Sequence, residues 1–281
     1  MMKKKRLFCE LGPVAYAISV KKQILQRKFQ DYRSKDKFAH IRTDSLLPVV
    51  ISSHETHMIK RGPGIDPQLQ YNKADNIRLA CSRINGVIVK PGETFSFWRL
   101  VGKTSKRNGF SDGRVLVNGK LIAGVGGGLC NLANTLHLIF MHSPVEITEL
   151  HHHSDALAPD EGGVRVPYSA GTSVNYNYID LRFRNVMDYD IQVVAYCEGD
   201  NLKAELRATK EPATSYRIVE EGHHFRKEAN GDYYRISKIY RETVDKSTGE
   251  VIDKSLKWDN RSKVMFNPDL IPPELIKNSQ E

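Results

Sequence analysis

The 281-residue chain has no run approaching the roughly 18 consecutive apolar residues that a membrane-spanning helix needs. It has only four cysteines, Cys9, Cys81, Cys130 and Cys197, scattered with no CxxC pair. A chain this long does not need disulfide staples, so the count argues for a reducing compartment. No internal repeat or low-complexity segment is present, which sets aside solenoids and linker-rich arrays. Glycine-rich phosphate loops are missing too, because no Gly-rich stretch ends in Lys-Ser/Thr and none forms a dinucleotide fingerprint. His54-Glu55-Thr56-His57 lacks the i,i+4 spacing of a zincin helix and reads as surface. Net positive charge is small outside one segment. Residues 1–37 hold eleven Lys/Arg against three Asp/Glu, so nearly all of the net +9 lies there. A body close to neutral has no basic stripe, which argues against a general nucleic-acid-binding role.

The basic arm requires its own account. Met1 to Arg6 has the charge of a signal-peptide start, but Glu10 and Gly12-Pro13 interrupt the apolar run. Lys21-Lys22 ends it without a small-residue cleavage site. Val14, Ile18, Leu25, Phe29 and Tyr32 fall on one helical face, with Lys21, Lys22 and Lys28 elsewhere. Such a helix either docks that face on its own protein or lies on an anionic membrane through residues 1–37. The expected location is cytoplasmic, with peripheral membrane contact as the second option.

Further along, the pattern predicts a strand over 46–52, a loop over 61–67, and a helix over 72–83 capped by Asn72. Asn85-Gly86 ends that helix before the short strand Val87-Ile88-Val89. Pro91 to Trp98 reads as a turn entering an aromatic strand. Val115 to Ile122 has the clearest hairpin signal, with Asn118-Gly119 at its turn. Strand composition covers 145–153, and 162–178 reads as loop. Alternation over 179–184, 191–198 and 202–208 predicts an antiparallel meander. Hairpins are expected at Asn230-Gly231 and Thr248-Gly249, and a tail from Asn267.

The chemistry centres on Gly124-Val125-Gly126-Gly127-Gly128-Leu129-Cys130-Asn131. Glycines let the backbone turn tightly. From Leu129 the residues Leu132, Ala133, Leu136, Ile139 and Phe140 recur at helical spacing until Ser143-Pro144. Cys130 therefore sits in the first turn, where free amides and the helix dipole favour a thiolate. The plainer alternative is a small apolar residue behind a turn. Glu149, His151 and His153 are spaced by two, which puts them on one face of a strand. In one scheme Cys130 is a nucleophile, His151 or His153 its base and Glu149 the orienting group, with Gly126, Gly127, Gly128 and Asn131 holding substrate. In another, Cys130, His151 and His153 bind Zn²⁺. A third is a non-enzymatic module whose loops around 168–178 contact a peptide or glycan. His137, two turns after Cys130, is about 10 Å away along the helix and too far for a direct pair. His223-His224 reads as solvated.

These residues also carry a resemblance. Pro91-Gly92-Glu93-Thr94-Phe95-Ser96-Phe97-Trp98-Arg99-Leu100-Val101-Gly102 resembles the opening signature of the VanW family, named for an accessory protein of B-type vancomycin resistance clusters. Asp112-Gly113, Asn118-Gly119-Lys120-Leu121, Gly126 to Cys130, Glu149 to Ser154 and Asp180 to Asn185 continue it over about residues 70–210. Two positions depart: Asn131 stands where the family usually has Gln, and Leu150 where it has Arg. The resemblance implies a bacterial protein associated with glycopeptide resistance or the cell envelope, and it brings no established activity.

Together these observations predict an α+β fold. An N-terminal basic amphipathic helix and strand (1–60) precede a core domain (61–212) in which the glycine loop and cysteine helix pack on a mainly antiparallel sheet. A β-rich section (213–281) follows. The expected activity is that of a thiol-dependent hydrolase or acyltransferase on an amide or peptide-like, cell-wall-derived substrate, without cofactor. The alternatives are a zinc site and a binding module.

Overall fold

The computed structural model describes residues 7–62, 65–117, 120–156, 159 and 171–278. Gly12, at φ 144°, and Pro13 open helix α1 (Pro13–Arg33). Strand β1 (Val49–His57), helix α2 (Pro67–Ile84), strands β2 (Val87–Val89) and β3 (Thr94–Ser96), and the short helix α3 (Phe97–Val101) follow. Then come the hairpin β4 (Asp112–Val117) and β5 (Lys120–Val125), helix α4 (Leu129–Met141), β6 (Glu146–Glu149), β7 (Asp155–Ala156) and β8 (Arg182–Arg184). The chain closes with β9 (Ile191–Glu198), β10 (Asn201–Ala208), the long strands β11 (Thr214–Lys227), β12 (Tyr233–Asp245) and β13 (Val251–Val264), and β14 (Ile276–Asn278). The fold is α+β, with mostly antiparallel sheets.

The core is a four-stranded sheet in the order β1-β10-β9-β2, covered by α2 and α4. Strand β10 alternates, burying Leu202, Ala204, Leu206 and Ala208. Strand β9 is buried on both faces from Ile191 to Ala195. Its second face is closed by residues 43–47, where the Gln192 amide accepts from Leu47 N at 2.9 Å and donates to Ser45 O at 3.0 Å. Helix α4 supplies Leu132, Leu136, Ile139 and Phe140 to the core, so the expected cysteine helix packs where the periodicity puts it. A second sheet, β3-β8-β6, joins through Phe95, Phe183 and Phe140, whose rings lie 4.4–5.5 Å apart.

The C-terminal sheet, β14-β11-β12-β13-β7, has its own small cluster around Phe225, Val264 and Ile271. The two expected hairpins join its long strands, with Gly231 and Gly249 at positive φ. Several contacts fasten it to the core. Strand β7 pairs with β13, the His152 ring lies 3.5 Å from that of Trp258, centroid to centroid, and Arg241 Nη1 donates to Ser143 O at 3.2 Å.

Several elements differ from expectation. Helix α2 starts five residues earlier, because Asp66 accepts from Gln68 N and Pro67 occupies the first turn. Asn72 lies inside the helix and donates to Asp112 O at 2.8 Å. Phe97 and Trp98 belong to α3, not to a strand, because the Ser96 side chain caps that helix. Residues 182–184 leave the meander and pair between β3 and β6. The strand expected over 145–153 stops at Glu149, and His152 makes only an isolated bridge to Thr172. The tail docks as β14 along β11. The hairpin turn at Asn118-Gly119 and much of the 162–178 loop lie outside the described residues.

The largest surprise is the side on which α1 docks. Half-buried Ala15, Ser19, Val20, Ile24, Arg27 and Asp31 face the body. Val14, Ile18, Leu25, Phe29 and Tyr32, the expected docking face, point outward and are between 51% and 85% exposed. Ion pairs decide the orientation. Arg27 donates to both Glu149 oxygens at 2.7 and 2.6 Å, and Arg182 to both Asp31 oxygens at 2.7 and 3.1 Å. Both pairs are two-pronged and well shielded, the geometry in which such contacts count.

Candidate functional site

The β4–β5 hairpin delivers the chain to a tight turn at Gly126–Gly128, and α4 starts directly behind it. Close packing explains the glycines. A Cβ on Gly127 would sit 2.2 Å from the Gly113 carbonyl carbon, and one on Gly128, at φ 101°, 2.2 Å from Lys73 Cγ. Buried Asn76 fixes the turn from α2. Its amide nitrogen donates to Ser111 O and Gly127 O at 3.0 Å each, and its oxygen accepts from Ser111 N at 2.8 Å. The Gly126 and Gly127 amides donate to Ser111 O and Gly124 O, so neither is free for a substrate oxyanion.

Above this turn lies an open cavity of about 710 Å³, within the range of small-ligand sites. Cys130, Asn131, Gly126, Gly128 and His153 all line it, whereas Gly127, Glu149 and His151 do not. Trp98 and Tyr176 make an aromatic wall, with ring centroids 5.6 Å apart. Trp98 is held by its indole N–H, which donates to Ile179 O at 2.8 Å. On another side Lys60, Lys73 and Arg114 enter the lining, and no described lining residue is acidic. Asn131 Oδ1 is buried and accepts no hydrogen bond among the described residues. Such orphan acceptors are rare in folded proteins and require an explanation.

Cys130 is half-buried, and its thiol faces the Val174 carbonyl at 3.8 Å. Burial pushes the thiol above its ordinary pKa, outweighing the opposing hydrogen bonds to Val174 and its own backbone. The sulfur makes no hydrogen bond to a histidine among the described residues. Burial also lowers His153, with Asp155 opposing. The sequence scheme is therefore divided in two: His153 shares the cavity with Cys130, while Glu149 and His151 sit elsewhere.

Glu149 accepts from His151 Nε2 at 3.0 Å, from Arg27 and from Asp180 N at 3.0 Å. Burial works against its charge, but the Asp180 amide, His151 and Arg27 together hold its carboxyl below the usual range. Beside it lies Asp180, fully buried, which accepts from Ser96 Oγ at 2.6 Å, Arg182 Nε at 2.8 Å and Trp98 N at 3.1 Å. This cluster ties α1 to α3 and β8, and so braces the aromatic wall. Among the described residues, no group of three His, Cys, Asp or Glu side chains is placed to hold a metal ion, and Cys130, His151 and His153 do not form one. Among the described residues, no helix is long and apolar enough to cross a membrane.

Sequence reasoning missed the cations, because Lys60, Lys73 and Arg114 are far apart in the chain and share no motif. It also missed a buried pair behind α4. His137 Nδ1 lies 2.9 Å from Thr172 Oγ1, its ring 5.6 Å from that of His152, and burial lowers the two to about 3 and about 4.

A family description, "VanW like protein", matches residues 72–207, the stretch that supplies most of the cavity lining. The chain is 31% identical over 223 residues to the vancomycin B-type resistance protein VanW of Enterococcus faecalis, an alignment covering 79% of this chain and 80% of the other. It is 28% identical over 131 residues to the uncharacterized protein YoaR of Bacillus subtilis, covering 47% of this chain and 41% of that one. No solved structure matches. With the glycine turn, the cysteine helix and the aromatic wall all inside the matched region, the chain belongs to the VanW family.

Proposed function

We propose that the protein binds an extended, peptide-like ligand derived from the bacterial cell wall in the cavity at the head of α4. The observation that carries this reading is an open cavity of about 710 Å³ walled by Trp98 and Tyr176. Asn131 also lines it; its Oδ1 is covered and has no partner among the described residues, and turning that side chain into the cavity would let it accept a ligand amide N–H. The Trp98 and Tyr176 rings offer flat apolar surface for a peptide to lie against. The choice of cell-wall peptides follows from the vancomycin-resistance name of the Enterococcus faecalis relative. Calorimetric titration with the soluble peptide fraction of digested bacterial cell wall tests it. Saturable heat that weakens in Asn131→Leu and Trp98→Leu supports the reading; no heat with the wild-type chain removes it.

A second reading, a thiol-dependent hydrolase or acyltransferase, is favoured by Cys130 and His153 lining one cavity. In that scheme His153 takes the thiol proton as the sulfur attacks an amide carbonyl, then gives it to the leaving amine as the C–N bond breaks, and water or an acceptor amine releases the acyl group from the resulting thioester. The raised thiol and its contact with the Val174 carbonyl weigh against a resting thiolate, so binding ranks first. Mass spectrometry of the peptide fraction after incubation separates the two readings. Cleaved or transferred products that vanish in Cys130→Ala establish the enzyme, and an unchanged fraction leaves a binding protein.

A further inference from the structure

Lys73 projects from α2 beneath the glycine turn and is only 8% exposed. Its ammonium donates to one acceptor among the described residues, Met58 O at 2.8 Å, and has three protons to place. Lys60 and Arg114 line the same cavity, and none of the three pairs with a described carboxylate. A buried charge is ordinarily neutralised by a partner, and of these three Lys73 is buried, Arg114 half-buried and Lys60 exposed. Three like charges therefore line one open space with no acidic residue among its described lining, and an anion is the partner that would suit Lys73. The first turn of α4, a 13-residue helix, adds its positive end to the same cavity through Leu129 and Cys130. The neighbouring charges leave their mark on Lys73: burial, then Lys60 and Arg114, bring its pKa down to about 8.

We infer that Lys73, Lys60 and Arg114 form an anion subsite that receives a carboxylate or phosphate group of the ligand. This rests on the cavity being the ligand site. The subsite and the aromatic wall then divide the recognition: the cations take the ligand's charged end, and Asn131, Trp98 and Tyr176 take its amide-bearing part. A ligand with a free carboxylate is thereby distinguished from one in which that group is amidated.

Cys130 is a reporter inside the cavity, free glutathione is the reference for the anionic-to-neutral ratio, and half-buried Cys9 is an accessibility control outside the cavity. The full chain is alkylated separately with iodoacetate and with iodoacetamide at alkaline pH, and the rate at each cysteine is read by peptide mapping. The anionic-to-neutral rate ratio cancels the thiolate fraction and reports the local potential. The ratio at Cys130 is expected to exceed that of glutathione by about tenfold or more, as in clefts lined by one sign of charge. It should fall toward the glutathione value in Lys60→Ala/Arg114→Ala, a double variant that leaves Lys73 in place. Acetate and inorganic phosphate should each slow Cys130 and leave Cys9 unchanged in the wild type, and the stronger competitor identifies the preferred group. A Cys130 ratio equal to that of glutathione overturns the anion subsite while the cavity reading stands. A Cys130 that reacts with neither reagent even at alkaline pH, beside a reactive Cys9, shows a closed cavity and overturns both.

An independent observation concerns α1. Its outward stripe of Val14, Ile18, Leu25 and Phe29 is bordered by Lys21, Lys22 and Lys28, and its only acidic residue, Asp31, faces inward to Arg182. We propose that this face rests on an anionic lipid surface, the occupant its charge complements, with the ion pairs on the opposite side holding the helix to the body. Co-sedimentation at low salt with phosphatidylcholine vesicles containing one-third phosphatidylglycerol is expected, with loss in Leu25→Glu/Phe29→Glu and on pure phosphatidylcholine. Wild-type protein that stays in the supernatant overturns the proposal. So does a dimer in light scattering that the double variant dissolves while vesicle binding is unaffected.

Discussion

Replacing Lys73 with methionine should stabilise the protein and disable its anion subsite at once. The ammonium is 8% exposed, faces two further cations, and is held at about 8 rather than 10.5. At about 1.4 kcal/mol per tenfold change in proton affinity, that shift corresponds to about 3 kcal/mol carried by the unliganded fold below pH 8. Methionine has a similar apolar stem, so packing under Gly128 survives, and the loss is the bond to Met58 O, about 1 kcal/mol. The net gain is about 1–2 kcal/mol near pH 7, a rise of roughly 2–8 °C in melting temperature. The sign of the pH dependence follows from linkage. Between pH 8 and 10.5 the unfolded chain binds the Lys73 proton and the folded chain does not, so wild-type stability rises with pH across that window. Lys73→Met removes this rise. Differential scanning calorimetry of both proteins from pH 7 to 10.5, with and without inorganic phosphate, measures all three effects. Phosphate should raise the wild-type melting temperature at pH 7 and leave the variant where it is. A variant less stable than wild type by more than about 1 kcal/mol, together with parallel pH profiles, would refute the reasoning, because Lys73 would then be a satisfied structural lysine.

Other consequences follow from the same contacts. Gly127→Ala places a Cβ 2.2 Å from the Gly113 carbonyl carbon, backbone against backbone, and should cost about 2–3 kcal/mol in denaturant unfolding. Arg182→Met strips the guanidinium from buried Asp180 and leaves Asp31 with Arg99 alone, at 3.6 Å, and a loss of about 3–5 kcal/mol is expected, with α1 more open to proteolysis at sites the wild type protects. Burial holds His137 and His152 neutral at about 3 and about 4, so the unfolded chain binds more protons below pH 6.5. Stability should therefore fall as pH drops from 6.5 toward 4, and thermal melts should show His137→Phe flattening that decline.

What the sequence revealed and what it hid divide along one physical line. Local patterns were readable. The Asn118-Gly119 hairpin signal, the glycine turn and the apolar spacing from Leu129 led to β4, β5 and α4 as they stand. The two late hairpins were equally plain from Asn230-Gly231 and Thr248-Gly249. Features that depend on pairing distant residues were not. Helix α1 presents a mixed face, with Ala15, Val20 and Ile24 beside Arg27 and Asp31, to the body because Arg27 meets Glu149 across 122 positions and Arg182 meets Asp31 across 151. Periodicity marks an apolar face and says nothing of which face finds a partner. The histidine motif failed for a related reason. A strand would have put Glu149, His151 and His153 on one side, but β6 ends at Glu149, and His153 then lines the cavity that Cys130 also lines while His151 stays with Glu149. The cationic side of the cavity was invisible because a loop, a helix and a strand each contribute one residue to it.

The account stands or falls on whether a peptide-like ligand occupies the cavity at the head of α4. The most direct measurement is the rate of iodoacetamide labelling at Cys130 with and without the soluble cell-wall peptide fraction. The account predicts saturable protection of Cys130, with Cys9 labelled at an unchanged rate. Labelling of Cys130 that proceeds equally fast at every peptide concentration would contradict it.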